Sequence, residues 1–137
     1  MRVEPTVVEL VEQIHDAPQQ LVFEFAGAGS LALYWLHSVA GSSRTVLEAT
    51  DRYSSLSMAD LLGETPEQFV SEETARAMAA RAYRRAMRLT DGGGACLGLA
   101  CTATIATDRV KRGEHRAWVA VQDRREARAY GLTLTKG

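Results

Sequence analysis

The stretch Ala95 to Thr102 (ACLGLACT) constrains this 137-residue chain more than any other. It carries no charge, consists mostly of small residues and follows three glycines, Gly92 to Gly94. An apolar run this short, with turn residues before it, reads as a strand covered on both faces. Such a strand needs a layer of structure on each side. The expected fold class is therefore α/β, a three-layer α/β/α sandwich around a mixed sheet.

The flanking sequence supplies those layers. Thr6 to Asp16 places Val7, Leu10, Val11 and Ile14 at helical spacing behind Pro5, with Pro18 as the stop. Leu21 to Phe25 (LVFEF) reads as a strand, and Arg44 to Ala49 as a second. Between them, Leu31 to Val39 has no charge apart from one that His37 could carry, which predicts a helix buried on most sides, between layers or between subunits. Gly41 is placed to end it. Ser57 to Leu62 forms a short helix ended by Gly63. Ser71 caps a long helix with Glu72 and Glu73 in its first turn and Arg81, Arg84, Arg85 and Arg88 later, a charge order that suits the helix dipole. Its inner stripe of Ala75, Met78, Ala79, Ala82, Ala86 and Leu89 is mostly small and can lie close to a sheet. Arg116 to Gln122 and Ala129 to Thr135 complete the strands, the last at an edge. The expected order is α-β-α-β-α-α-β-β-β.

Charge narrows the partners. Sixteen basic and seventeen acidic residues nearly cancel, so no overall field favours nucleic acid or an anionic membrane. The first sixteen residues carry acids throughout and do not read as a signal peptide, and no run is long enough to span a bilayer. Cys96 and Cys101 have odd spacing, so on one strand their thiols point to opposite faces and cannot bridge. Two free thiols suit a reducing compartment, and the expected location is cytoplasmic. The chain reads as one domain over residues 1–137.

Two segments could hold a ligand. Ala26 to Ser30 (AGAGS) is a glycine corner between strand and helix, where backbone can approach a ligand and N–H groups can meet an anion; a plain tight turn is the competing reading. Gly27-x-Gly29-x-x-Ala32 followed by Glu48 also has the spacing of a dinucleotide fingerprint, in a chain that lacks regular β-α-β alternation. The loop Thr104 to His115 holds Arg109, Lys111 and Arg112, three cations able to grip phosphate, or simply a solvated hairpin tip. His15, His37 and His115 lack ligand-spaced partners, so no metal and no cofactor is expected. No serine sits in a G-x-S-x-G elbow.

Six pieces, in order, resemble the CinA C-terminal domain, a nicotinamide-nucleotide amidohydrolase-like family. They are Ala26-Gly27-Ala28-Gly29-Ser30-Leu31, Val39-Ala40-Gly41-Ser42-Ser43, Tyr53-Ser54-Ser55 with Leu61-Leu62-Gly63, Val70-Ser71-Glu72-Glu73-Thr74-Ala75-Arg76-Ala77-Met78, Leu97-Gly98-Leu99-Ala100-Cys101-Thr102, and Arg116-Ala117-Trp118-Val119-Ala120-Val121. The resemblance covers about Leu21 to Leu134. It implies a three-layer, often oligomeric domain, whose active members hydrolyse the amide of nicotinamide mononucleotide with a serine nucleophile and a supporting lysine.

This sequence departs from that pattern at the chemistry. The serine position is Ala26 and the lysine position is Met58, neither of which can attack a carbonyl or take a proton. Tyr53 is retained. The family also closes with a helix after its last strand, whereas this sequence ends at Gly137; either the edge strand completes the domain or the sequence is a piece of a longer multidomain protein. The resemblance thus implies a domain that binds a small phosphorylated, nucleotide-like ligand through Gly27, Ala28, Gly29, Ser30, Tyr53, Thr102, Arg109, Lys111 and Arg112. Two alternatives stand beside it: an amidohydrolase using another nucleophile (Ser30, with Tyr53 a weaker catalytic candidate and Lys111 as base), and a structural module that forms homo-oligomers. Whether the protein is an enzyme is open at this level.

Overall fold

The computed structural model describes residues 3–92, 94–104 and 115–134. Its helices are α1 (Pro5–Asp16), α2 (Ser30–Ser38), α3 (Ser55–Leu62) and α4 (Glu72–Leu89), with one 3-10 turn at Ser42–Arg44. Its strands are β1 (Gln20–Ala26), β2 (Val46–Asp51), β3 (Cys96–Ala103), β4 (His115–Gln122) and β5 (Ala127–Leu134). They form one five-stranded sheet in the order β2-β1-β3-β4-β5, in which β1 pairs parallel with β2 and β3, and β4 pairs antiparallel with β3 and β5. The mixed α/β sandwich is as expected, with ACLGLACT at its centre and β5 at an edge.

Alternation along the strands sorts the core into two sides. Val22, Cys96, Ala100 and Ala120 face α4 and meet Ala75, Met78, Ala79, Ala82 and Ala86, all five fully buried. Leu21, Phe23 and Phe25 face the other way, toward Ala32 and Leu33 of α2 and beside Leu97, Leu99 and Cys101. Cys96 and Cys101 are free and do lie on opposite faces.

The α4 stripe is small because the helix sits almost on the strand. A Cβ on Gly98 would fall 2.1 Å from the Ala79 carbonyl oxygen and 2.3 Å from the Tyr83 nitrogen. Ser71 caps α4, its Oγ accepting from the Thr74 N–H at 3.1 Å, and Thr74 joins the buried face. Leu89 is exposed, because it lies one turn past Ala86, which already packs near Cys96 at the start of β3. Across the sheet, Trp118 on β4 lies over Gly131 of β5, where an added Cβ would come within 2.7 Å of the indole.

Three other expectations shift. α1 buries Val11 and His15 and leaves Leu10 exposed. The His15 ring fixes that rotation, with Nδ1 2.6 Å from Thr45 Oγ1 and Nε2 2.9 Å from the Leu36 carbonyl oxygen. The second strand begins at Val46, because Arg44 belongs to the 3-10 turn opened by Gly41 at φ 110°. α2 is not enclosed within the chain: Leu36 is its one buried residue, and Leu31 and Tyr34 are exposed. An uncharged helix on the outer layer needs only one covered flank.

Candidate functional site

The crossovers define where a ligand could sit. β1 leads through α2, on one face, to β2; β2 leads through α3 and α4, on the other face, to β3, and β3 continues away to β4. The chain therefore leaves the carboxyl ends of β1 and β3 in opposite directions. In an open α/β sheet that divergence opens a crevice between neighbouring strand ends. Ala26 and Thr102, paired in register, stand at it.

The glycine corner is shaped chiefly by the protein's own packing. Gly27 has φ 84°, and a Cβ there would lie 2.0 Å from the Ala103 carbonyl oxygen. Gly29 has φ 138°, and its Cβ would lie 2.7 Å from the Phe25 side chain. Ala28 and Ser30 are exposed, and no side chain caps the start of α2 at Gly29.

The two positions that the resemblance gives to nucleophile and base are brought into one apolar cluster. Ala26 is buried at the end of β1, and Met58, fully buried on α3, joins it among Ala75, Met78, Ala79 and Phe69. Tyr53 is 63% exposed just before α3. Thr102 is buried, and its Oγ1 donates to the Phe69 carbonyl oxygen at 2.6 Å. Arg109, Lys111 and Arg112 lie outside the described residues.

Glu48 is not available as a ribose acceptor in the dinucleotide sense. Arg85 of α4 engages both its oxygens, Nε to Oε1 at 2.9 Å and Nη2 to Oε2 at 3.0 Å. Its neighbour, an acid the sequence reading passed over, is the more unusual group. Glu24 in β1 is 2% exposed and faces α4, level with Thr50 of β2. Burial pushes its carboxyl above the usual carboxylate range, against the lowering effect of the Arg52 hydrogen bond. Arg52 follows β2; its N–H donates to the Phe25 carbonyl oxygen at 2.6 Å, and its Nε to Glu24 Oε1 at 2.7 Å. An acid inside LVFEF facing a helix layer was the one available signal.

Two grooves lie away from this crevice. One of about 1170 Å³ runs between the loop before α4 and the outer side of that helix, lined by Glu64, Glu67, Glu72, Glu73, Arg81 and Arg84 among others. The other, about 750 Å³, is at the opposite pole of β3, near Gln19, Met87 and Asp123. Among the described residues there is no group of three His, Cys, Asp or Glu side chains that could hold a metal. No helix among them is long and apolar enough to cross a membrane.

Together these features define an α/β sandwich in which the parallel strands β1 and β3 end side by side at Ala26 and Thr102, with Ala26 and Met58 in one buried apolar cluster. No protein-family model matches the sequence, and no curated protein matches it significantly. Solved structures do match. The competence/damage-inducible protein CihA from Agrobacterium tumefaciens aligns with a TM-score of 0.69 and 21% identity over 97% of this chain and 83% of that one. A competence or damage-inducible protein from Enterobacter asburiae gives 0.67 and 17% over 97% and 86%. A CinA superfamily protein from Escherichia coli gives 0.65 and 13% over 99% and 83%. The chain has the fold of a CinA-like domain.

Proposed function

We propose that this CinA-like domain binds a small phosphorylated ligand, a pyridine nucleotide or a close relative, without the family's serine–lysine amidase chemistry. One observation carries the reading: Ala26 and Met58 share an apolar cluster where a hydroxyl and an amine would be needed. Nucleophilic hydrolysis of an amide needs a group to attack and a base to receive its proton. Neither side chain can act as either. Binding asks for less, and the crevice at Ala26 and Thr102, the uncapped start of α2 at Ser30 and the exposed Tyr53 support it. Arg109, Lys111 and Arg112 belong to the proposal on sequence grounds.

Calorimetry with nicotinamide mononucleotide, paired with an ammonia-release assay, tests it. The expected result is binding without ammonia above background. Ammonia release that disappears in Ser30→Ala would replace the reading with the active amidohydrolase.

A second reading is favoured by the exposed apolar residues. Leu31 and Tyr34 on α2 are open, and Gly27 and Gly29 are already required by internal packing. A structural module that forms homo-oligomers would use that surface and leave the crevice empty. Light scattering that returns a monomer mass would dismiss it.

A further inference from the structure

We propose that Arg52 is the phosphate-recognising residue of the crevice, presented there by Glu24. The inference rests on the reading above, that the crevice takes a phosphorylated ligand. Its starting point is register. Arg52 donates its N–H to the carbonyl oxygen of Phe25, so its backbone stands level with the end of β1, beside Ala26. The side chain reaches from the end of β2 to Glu24 on the neighbouring β1, two residues before Ala26 on the α4-facing side.

The contact to Glu24 uses one edge of the guanidinium. Nε donates to Oε1, while neither Nη atom has a hydrogen-bond partner among the described residues. The side chain is 21% exposed, so it is held in place yet reachable. An arginine whose Nε is fixed by a buried carboxyl group has lost much of its rotamer freedom before a ligand arrives. Its two terminal nitrogens form a planar fork suited to two oxygens of a phosphate monoester.

Arg85 supplies the contrast. It carries the same charge on the same side of the sheet, but both its Nε and its Nη2 are engaged by the two oxygens of Glu48. Arg52 keeps both terminal nitrogens without a partner among the described residues, and Arg85 has two of its three nitrogens engaged. Charge near the sheet is common to both; an unfilled, partly exposed fork on a residue whose backbone stands at the carboxyl end of β1 distinguishes Arg52.

The test uses the whole chain in calorimetric titrations with three probes: nicotinamide mononucleotide, nicotinamide riboside and inorganic pyrophosphate. Arg52→Gln is expected to weaken the mononucleotide about tenfold or more, as loss of charge-assisted hydrogen bonds does, and to leave the riboside within about twofold. Arg52→Gln strands Glu24, so the double variant Glu24→Gln/Arg52→Gln, whose amides can still pair, is measured alongside, with melting curves to show that each is folded. Arg85→Gln should bind the mononucleotide as the parent does.

Equal mononucleotide affinity in the parent and in a folded Arg52 variant overturns this inference and leaves the proposed function standing. A loss in Arg85→Gln as large as in Arg52→Gln overturns it too, because general charge would then explain the effect. Pyrophosphate binding that depends on Arg52, in a parent that ignores both pyridine compounds, upholds the anion role and removes the pyridine nucleotide. A parent that binds none of the three removes both.

Discussion

The two faces of the sheet are closed by different means. On one, α4 lays five fully buried residues, four of them alanine, against β1, β3 and β4, so near that Gly98 can carry no side chain. On the other, α1 and α2 pack toward β1 and β2, while Leu99, Cys101, Val119 and Val121 stay partly open and Tyr130 and Leu132 are each 57% exposed. The first face gains its stability from closeness of backbones, the second from larger side chains that meet loosely. Small residues can thus mark the tighter side of a fold, because contact depends on how near the layers come as well as on side-chain size.

The largest effect should come from filling the tight side. In Gly98→Val the new atoms would meet backbone of α4, which can move only as a helix, and a loss of about 3 kcal/mol or more is expected in urea unfolding. A loss below about 1 kcal/mol would mean that α4 is not seated as described. Truncation comes next. Met78→Ala, at a fully buried site, should cost about 2–5 kcal/mol, and Leu99→Ala on the open side clearly less. Equal losses would erase the distinction between the faces.

Glu24 sharpens the comparison through pH. Its carboxyl is raised in the folded protein, chiefly by burial, so the folded state holds its proton more tightly than the unfolded chain does. Its contribution is therefore fully present below the unfolded value of 4.5 and is lost as pH rises through the folded value. Relative to Glu24→Gln, the parent should lose stability as pH climbs above 4.5 and through the raised folded value. Parallel denaturation midpoints for the two proteins across that range would show that the carboxyl is not held in a dry site. Smallest of all, Leu132→Ser should change stability by no more than about 0.5 kcal/mol. A larger loss that depends on protein concentration would reveal that a second copy covers this side in solution.

Much of this architecture is legible in the sequence. ACLGLACT is legible as the central strand because it alone among the strands carries no charged residue. Ser71 and Gly63 marked helix ends because a capping hydroxyl and a left-handed turn are local chemistry. What was not legible depended on distance. LVFEF does not say which face Glu24 takes, and its partner Arg52 lies 28 residues away. The fingerprint spacing around Glu48 carries no sign that Arg85, 37 residues on, occupies both of its oxygens. Absence of charge in α2 fits burial between layers or between subunits; within the chain Leu31 and Tyr34 stay exposed, so composition alone does not say which surface, if any, covers them. At the candidate site, the Ala26 and Met58 substitutions were visible in the sequence; their shared apolar surroundings were not.

The indole of Trp118 resting over Gly131 has a practical consequence. It makes the last strand optically visible, since peeling β5 away would uncover the ring and change its emission. Trp35, the second of two tryptophans, sits instead with Val11 and Leu36 in the α1–α2 layer. Replacing either with phenylalanine leaves a single tryptophan, so a stopped-flow trace excited at the red edge of the indole band can time the departure of the edge strand separately from the loosening of the opposite layer.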